Sequence, residues 1–256
     1  MKKKLLIYIL VLIFLYFVGC INEMEMLEDN STLKAGNERL FMPDSLRDLI
    51  EYDRNSMDQY SIRKLENILE LLYTFPETNK MLNSLKDGLK VKMEITGGSS
   101  SLGEAWYDPI YPPKIGFLRE DCITMENVLH ELLHYYAMYN YVPYRDGVIP
   151  ACEEYEVRVL TDVIMQKYCA NCDFKYQGMS PDEGLFYQPY IDWINNLINT
   201  SSFDKFLFGI EFKKYGTFCI RRLVTNDRPI SDVLNENDFN YYIPLLLETF
   251  LFDFKR

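Results

Sequence analysis

Both histidines of this 256-residue chain lie in one nine-residue stretch, "VLHELLHYY", which runs from Val128 to Tyr136. His130 and His134 are four residues apart, and Glu131 directly follows the first of them. Helical side chains at positions i and i+4 face the same way, so the spacing predicts two adjacent imidazoles with a carboxylate at their edge. Neutral imidazoles bind Zn²⁺, and a carboxylate beside them that is not a ligand can accept a proton from metal-bound water.

Chance explains this pattern poorly. Two histidines placed at random in such a chain would be four apart about once in a hundred cases, and the added glutamate lowers this to roughly one in a thousand. Two alternatives remain open at this point. The pair is a coincidence on a helix, or the site binds metal without catalysing a reaction.

A zinc site needs another protein ligand, and since no histidine remains, we expect a carboxylate on a following helix. "CEEYEVRVLTDVIMQKY" is predicted to be that helix, with Glu153, Glu154 and Glu156 in its first turns. We predict Glu156 as the ligand, because it borders the apolar face and lies deeper in the helix than Glu153. Glu154 is expected to pair with Arg158 in solvent. Alternatively, all three glutamates form a solvated acidic turn that is stabilised by the helix dipole. The apolar face comprises Val157, Leu160, Val163 and Ile164.

The elements that position these residues are mostly helices. Apolar residues at helical spacing predict helices in "DSLRDLIEYD" (44–53) and "SIRKLENILELLY" (61–73), and a shorter helix is expected between Pro76 and Gly88. A further helix begins near Thr124, a suitable N-cap, and carries both histidines.

Two segments are predicted to be strands. "LKVKMEI" (89–95) alternates apolar and charged residues, as a half-buried strand does, and "KIGFL" (114–118) is the second candidate. The segment between them, "GGSSSLGEAWYDPIYPP" (97–113), is predicted to be loop from its glycine, serine and proline content. The fold class is therefore α+β, helix-rich, with a small mixed sheet and an active-site helix.

With "HELLH", a loop, and a following helix that offers a glutamate, the chain resembles the zincin metallopeptidases, specifically the gluzincin branch. It is also similar to zinc-dependent peptidase lipoproteins of Bacteroidetes. The resemblance covers roughly Leu89 to Lys167. It departs from the family after Glu156, where Val157 stands in place of the usual small residue.

The resemblance implies peptide-bond hydrolysis, with His130, His134 and Glu156 as ligands of Zn²⁺ and Glu131 as general base. A tyrosine or arginine must then stabilise the oxyanion, because no histidine is left. The peptide or protein substrate would lie extended along an edge strand, for which "KIGFL" is the candidate. The alternative function is a non-catalytic surface lipoprotein that uses a zincin-like, metal-binding fold to bind a partner.

The N-terminus is predicted to be an export signal. Residues 1–19 combine three lysines with an apolar run, and "FVGC" resembles the lipobox of bacterial lipoproteins, which implies lipidation of Cys20. The alternative is an uncleaved anchor helix. An acidic tether would occupy residues 20–42 and the zincin-like domain residues 43–256. We therefore expect an exported protein of the bacterial cell envelope, anchored in the outer membrane through Cys20.

Charge excludes one class of partner. The net charge of −11 argues against nucleic acid, since phosphate binding requires a basic surface. Without Cys20 the chain has five cysteines, so at least one lacks an intramolecular disulfide. "CANC" (169–172) has no second pair to complete a zinc site, and a local disulfide or simple packing is expected there.

Overall fold

The computed structural model describes residues 44–85, 88–97, 104–141, 151–170, 174–199, 205–225 and 244–253. All of them belong to one unit, residues 41–256. The predicted signal peptide, Cys20 and the tether lie outside the described residues. None of the described helices is both long enough and apolar enough to cross a bilayer.

The described residues form a helix-rich α+β fold with a small mixed sheet, and these features of the predicted fold class are confirmed. The helices are α1 (Asp44–Arg47), α2 (Gln59–Thr74), α3 (Pro76–Leu85), α4 (Met125–Tyr141), α5 (Ala151–Tyr168), α6 (Tyr187–Asn199), α7 (Lys205–Thr225) and α8 (Leu245–Glu248). The strands are β1 (Ile50–Tyr52), β2 (Val91–Ile95), β3 (Ala105–Asp108) and β4 (Lys114–Phe117). A short 3₁₀ helix, Pro181–Phe186, leads into α6.

The four strands are arranged in the order β1-β2-β4-β3. β2 is parallel to both of its neighbours, whereas β3 runs antiparallel to β4. Val91 and Met93 of β2 are fully buried, as the alternation in "LKVKMEI" predicts. The antiparallel strand β3 lies at one end of the described sheet and packs against α4.

The edge strand differs from the sequence-based prediction. "KIGFL" does form a strand, β4, but this strand pairs on both sides and so cannot accept an added peptide strand. The end strands of the described sheet are β1 and β3, and β3, the neighbour of β4, lies inside the segment predicted to be loop. Glycine and proline residues lie toward the ends of that segment. Ala105–Asp108 between them contains neither residue type and pairs with β4.

The segment 44–53 was also predicted incorrectly as one helix. Helix α1 ends at Arg47, and Ile50–Tyr52 instead forms β1. The partner of β1 is β2, about forty residues later in the chain, where Ile50 is paired with Val91. Tertiary pairing therefore overrides the local helical spacing, as it commonly does for short strands.

The helix that carries the histidines is capped as expected. Thr124 precedes α4, and its hydroxyl accepts a hydrogen bond from the amide of Asn127 at 3.3 Å. The buried residues Val128, Leu129, Leu132 and Leu133 anchor the helix in the core. Because α4 packs against α2, α3, β3 and α5, the orientation of its His130–His134 side is fixed from several directions.

Helix α5 is buried on nearly all sides. It packs against α4, α6, α7 and α8. Leu160, Val163 and Ile164 are buried, and so are Thr161 and Asp162 on the side that the sequence marks as polar. This helix is therefore the centre of the helical half of the domain rather than an amphipathic surface helix.

Gly116 of β4 lies beneath the indole of Trp106, its cross-strand partner in β3. A Cβ atom at Gly116 would lie 2.2 Å from the nearest indole carbon. We expect Gly116→Ala to lower the free energy of unfolding by about 1–3 kcal/mol, as overpacking does, measured by urea denaturation. Gly209→Ala in α7 is the control, because that site is open and helix propensity favours alanine by up to about 1 kcal/mol. Equal stability of Gly116→Ala and wild type would show that the indole moves aside freely.

Candidate metal centre

Helix α4 presents both histidines on one buried side, as the four-residue spacing predicts. His130 is 6% exposed and His134 is 2% exposed. Their rings meet edge to face, with centroids 4.7 Å apart. The two Nε2 atoms lie 3.1 Å from each other, so both nitrogens point to one place.

A carboxylate from α5 completes this group. Oε2 of Glu154 lies 2.9 Å from Nε2 of His134 and 3.6 Å from Nε2 of His130. His130, His134 and Glu154 therefore each direct one potential ligand atom to a common point and could together hold a metal ion. We refer to these three residues as the triad.

The spacing of the triad matches what a small cation requires. Ligands held by zinc at ~2.0–2.1 Å in a tetrahedron lie about 3.3–3.4 Å from one another. The three separations in the triad, 2.9, 3.1 and 3.6 Å, bracket that value. The triad thus has the dimensions of one face of a tetrahedral site, which leaves the fourth position for water or substrate.

Glu156, the predicted third ligand, is not part of the triad. Its carboxylate is 1% exposed and accepts a hydrogen bond from the backbone amide of Leu247 at 2.9 Å. Leu247 lies in the first turn of α8, whose amides have no partners within the helix. Glu156 therefore joins α5 to α8, and Glu154 replaces it beside the histidines.

The reason is the all-round burial of α5. The prediction of Glu156 as the ligand assumes that the apolar face of α5 turns toward α4. That face instead packs toward α8, and the side with Glu154 and Arg158 turns toward the histidines. The predicted pair of Glu154 with Arg158 does form, but the Arg158 side chain is only 13% exposed, so the pair is not solvated.

Glu131 is close to the triad but is not one of its three converging groups. Its side chain is 5% exposed, and its negative charge acts to raise the pKa of His134. A buried carboxylate next to a potential metal site, yet outside the ligand set, is the arrangement expected of a general base.

Glu153 is placed to orient His134. Its Oε1 lies 3.8 Å from Nδ1 of His134, beyond hydrogen-bonding distance, and both atoms are buried without a hydrogen-bond partner. Each is the obvious partner of the other after a small movement. Metal-binding histidines usually donate their second N–H to a carboxylate or carbonyl, which fixes the ring and its tautomer.

The surroundings shift the pKa values of the two imidazoles in opposite directions. Burial lowers the pKa of His130 to about 4, so this ring is neutral. Burial also acts to lower the pKa of His134, but the carboxylates of Glu153 and Glu154 outweigh it and raise the value to about 10. A metal binds an unprotonated Nε2, so the carboxylates that favour the charged form of His134 couple metal binding to the release of a proton.

The sequence predicts the pair of Glu154 with Arg158, but neither its burial nor the contribution of Asp162 behind it. Arg158 donates from Nε to Oε1 of Glu154 at 2.7 Å, and from Nη1 to the carbonyl of Gln177 at 3.3 Å. Asp162, one turn further along α5, accepts from the amides of Gln177 and Gly178. The i,i+4 spacing of Glu154 and Arg158 was the available signal, but it does not tell which side of α5 is buried.

Cys169, the first residue of "CANC", directly follows the last residue of α5, whereas Asn171 and Cys172 are outside the described residues. Cys169 is disulfide-bonded, and its partner is outside the described residues. Cys122, Cys152 and Cys219 are buried thiols.

Comparison with protein-family models, curated proteins and solved structures returned no significant match. What can be inferred about the activity of this chain therefore depends on the chemistry and geometry of its own residues.

Proposed function

We propose that this protein is a zinc-dependent metallopeptidase of the zincin type, in which His130, His134 and Glu154 hold the metal. The observation that carries this proposal is the convergence of three ligand atoms beside a buried carboxylate, Glu131, that is not among them. A purely structural metal site has no need of this additional carboxylate.

The chain's own residues would divide the chemistry as follows. Zn²⁺ bound by the triad would polarise a peptide carbonyl and acidify a water molecule. The carboxylate of Glu131 would accept a proton from the attacking water and return it to the leaving amine. The carboxyl groups of Glu131, Glu153 and Glu154 and the guanidinium of Arg158 lie around the site, so acidic side chains outnumber basic ones there, which suits a divalent cation.

The position of β3 supports an extended peptide or protein as substrate. This strand packs against α4, where Tyr107 contacts Met138 and Tyr135. A strand at the end of a sheet offers backbone donors and acceptors to an added peptide. Approach to the metal would be from the side of Glu153 and Glu154, whose side chains are 14% and 16% exposed.

A second function is favoured by the burial of the site. His130, Glu131 and His134 are each at most 6% exposed, which also suits a non-catalytic lipoprotein that binds metal to stabilise its fold. Both functions predict one zinc per chain. They differ in whether the zinc-loaded protein cleaves peptides.

The test is zinc content together with cleavage of a mixed peptide library, read by mass spectrometry of new termini. We expect about one zinc per chain, and cleavage that a chelator removes and added zinc restores. Bound zinc without cleavage by the wild type would favour the non-catalytic function. Absence of bound zinc would overturn both.

We also propose that the protein is exported and attached to the bacterial cell envelope, at the outer membrane, through lipidated Cys20. The lysines, apolar run and "FVGC" of the N-terminus support this. Cys20→Ala is expected either to leave the precursor uncleaved or to release the protein from the membrane fraction, because the acyl chains provide the attachment. Fractionation and mass spectrometry of the N-terminus measure this. An unmodified mature N-terminus at another residue would contradict it.

A further inference from the structure

Arg158 is a buried cation directly behind the carboxylate of the triad. Two of its nitrogens contact the same oxygen, Oε1 of Glu154. The distance is 2.7 Å from Nε and 2.5 Å from Nη2. One oxygen of Glu154 is therefore already bound to the guanidinium.

The two oxygens of Glu154 have separate partners. Oε1 is bound by Arg158, whereas Oε2 faces Nε2 of both histidines. A carboxylate can bind a metal through one oxygen or through both. Here the second oxygen would have to leave two short, charge-assisted contacts before it could reach a metal, and such contacts are among the strongest in proteins.

Arg158 is itself fixed by the segment that precedes the 3₁₀ helix. Its Nη1 donates to the carbonyl of Gln177, and the Gln177 and Gly178 amides donate to Asp162 at 2.7 and 2.9 Å. The Tyr190 hydroxyl donates to Asp162 at 2.6 Å. Gly178 is closely packed, because a Cβ atom there would lie 2.2 Å from the Tyr190 hydroxyl oxygen. The guanidinium thus rests against a peptide group that cannot easily move.

We propose that Arg158 is a positioning residue that restricts Glu154 to one-oxygen binding of the metal. This inference rests on the proposed metal site but not on peptidase activity. A catalytic zinc site keeps one coordination position open for water or substrate. Binding of Oε1 would fill that position, so the guanidinium keeps it open.

The test uses Co²⁺ as the probe, because Zn²⁺ has a filled d shell and no visible absorption. The visible bands of Co²⁺ weaken and shift to shorter wavelength as the coordination number rises. We expect Arg158→Met to bind one Co²⁺ per chain with a weaker, blue-shifted spectrum. Arg158→Lys should restore the wild-type spectrum at least partly, because an ammonium can still hold one oxygen.

The matched control is Arg47→Met, which removes an exposed arginine–glutamate pair, Arg47 with Glu70 at 2.9 Å. Its spectrum should equal that of the wild type. Identical spectra for wild type and Arg158→Met, each with one bound Co²⁺, would overturn the inference, since a role in stability alone leaves the coordination unchanged.

A measurement on the wild type needs no variant and so remains decisive if Arg158→Met does not fold. X-ray absorption of the zinc-loaded protein should show four ligands and a one-oxygen carboxylate, and a two-oxygen carboxylate would overturn the inference.

Failure of the wild type to bind either metal would overturn both the inference and the proposed function. Metal binding with the expected spectra but no peptide cleavage would leave the inference standing and count against the peptidase.

Discussion

Glu154→Gln is expected to weaken zinc binding by more than about 100-fold, whereas Glu156→Gln leaves it within about twofold. Partners behind a ligand are already worth about 10–100-fold in metal affinity, and loss of the charged ligand atom itself should cost more. Glu154 directs Oε2 at both histidines, but Glu156 directs its carboxylate at the amide of Leu247. Competition with a chromophoric chelator measures both affinities.

The two variants control for each other, because they make the same chemical change on the same helix. Circular dichroism must first show that both are folded at the temperature of the titration. Glu156→Ala should instead show its effect in stability, with a loss of about 1–3 kcal/mol, because the Leu247 amide loses the carboxylate that accepts its hydrogen bond. A large loss of zinc affinity in Glu156→Gln, with Glu154→Gln unaffected, would return Glu156 to the ligand set and contradict the triad.

Glu131→Gln is expected to retain one zinc per chain and to lower the rate of peptide cleavage by about 10²–10⁴-fold, the usual contribution of a positioned acid–base group. Glutamine preserves the size of the buried side chain but cannot accept the proton from water at neutral pH. Since Glu131 is not one of the three converging groups, the metal should remain. Zinc content by elemental analysis and initial rates on a cleaved library peptide measure the two effects.

Glu70→Gln is the matched control, since the exposed side chain of Glu70 on α2 pairs with Arg47 and not with either histidine. It should change neither zinc content nor rate. If Glu131→Gln loses its metal, Glu131 is a ligand rather than a base. If it keeps both metal and full activity, another group accepts the proton.

The histidine pair could be predicted from the sequence because helical geometry alone brings positions i and i+4 together. No tertiary contact is needed to place His130 beside His134, and their Nε2 atoms are indeed 3.1 Å apart. The third carboxylate depends instead on which side of α5 faces α4. That is decided by packing between helices far apart in the chain, and an all-round buried helix has no polar stripe to reveal it.

The strands of the sheet also show how far the structure can be predicted from the sequence. The alternation of Val91 and Met93 with charged residues predicts β2 correctly, because one side of that strand is buried and the other is not. Strands β1 and β3 have only three and four residues, too few for a period to be read. Each forms because a neighbouring strand supplies hydrogen-bond partners, and this information lies elsewhere in the chain.

The burial of α5 also bears on how this protein can change over evolutionary time. Lys167 is the one exposed residue among the helix positions whose burial is described. Substitutions almost anywhere else on α5 must therefore be accommodated by a neighbouring helix, and compensating pairs of changes become more probable than single ones. We therefore expect helix α5, including Glu154, to accept substitutions slowly. Changes in substrate specificity would arise more readily in segments whose residues can be substituted one at a time.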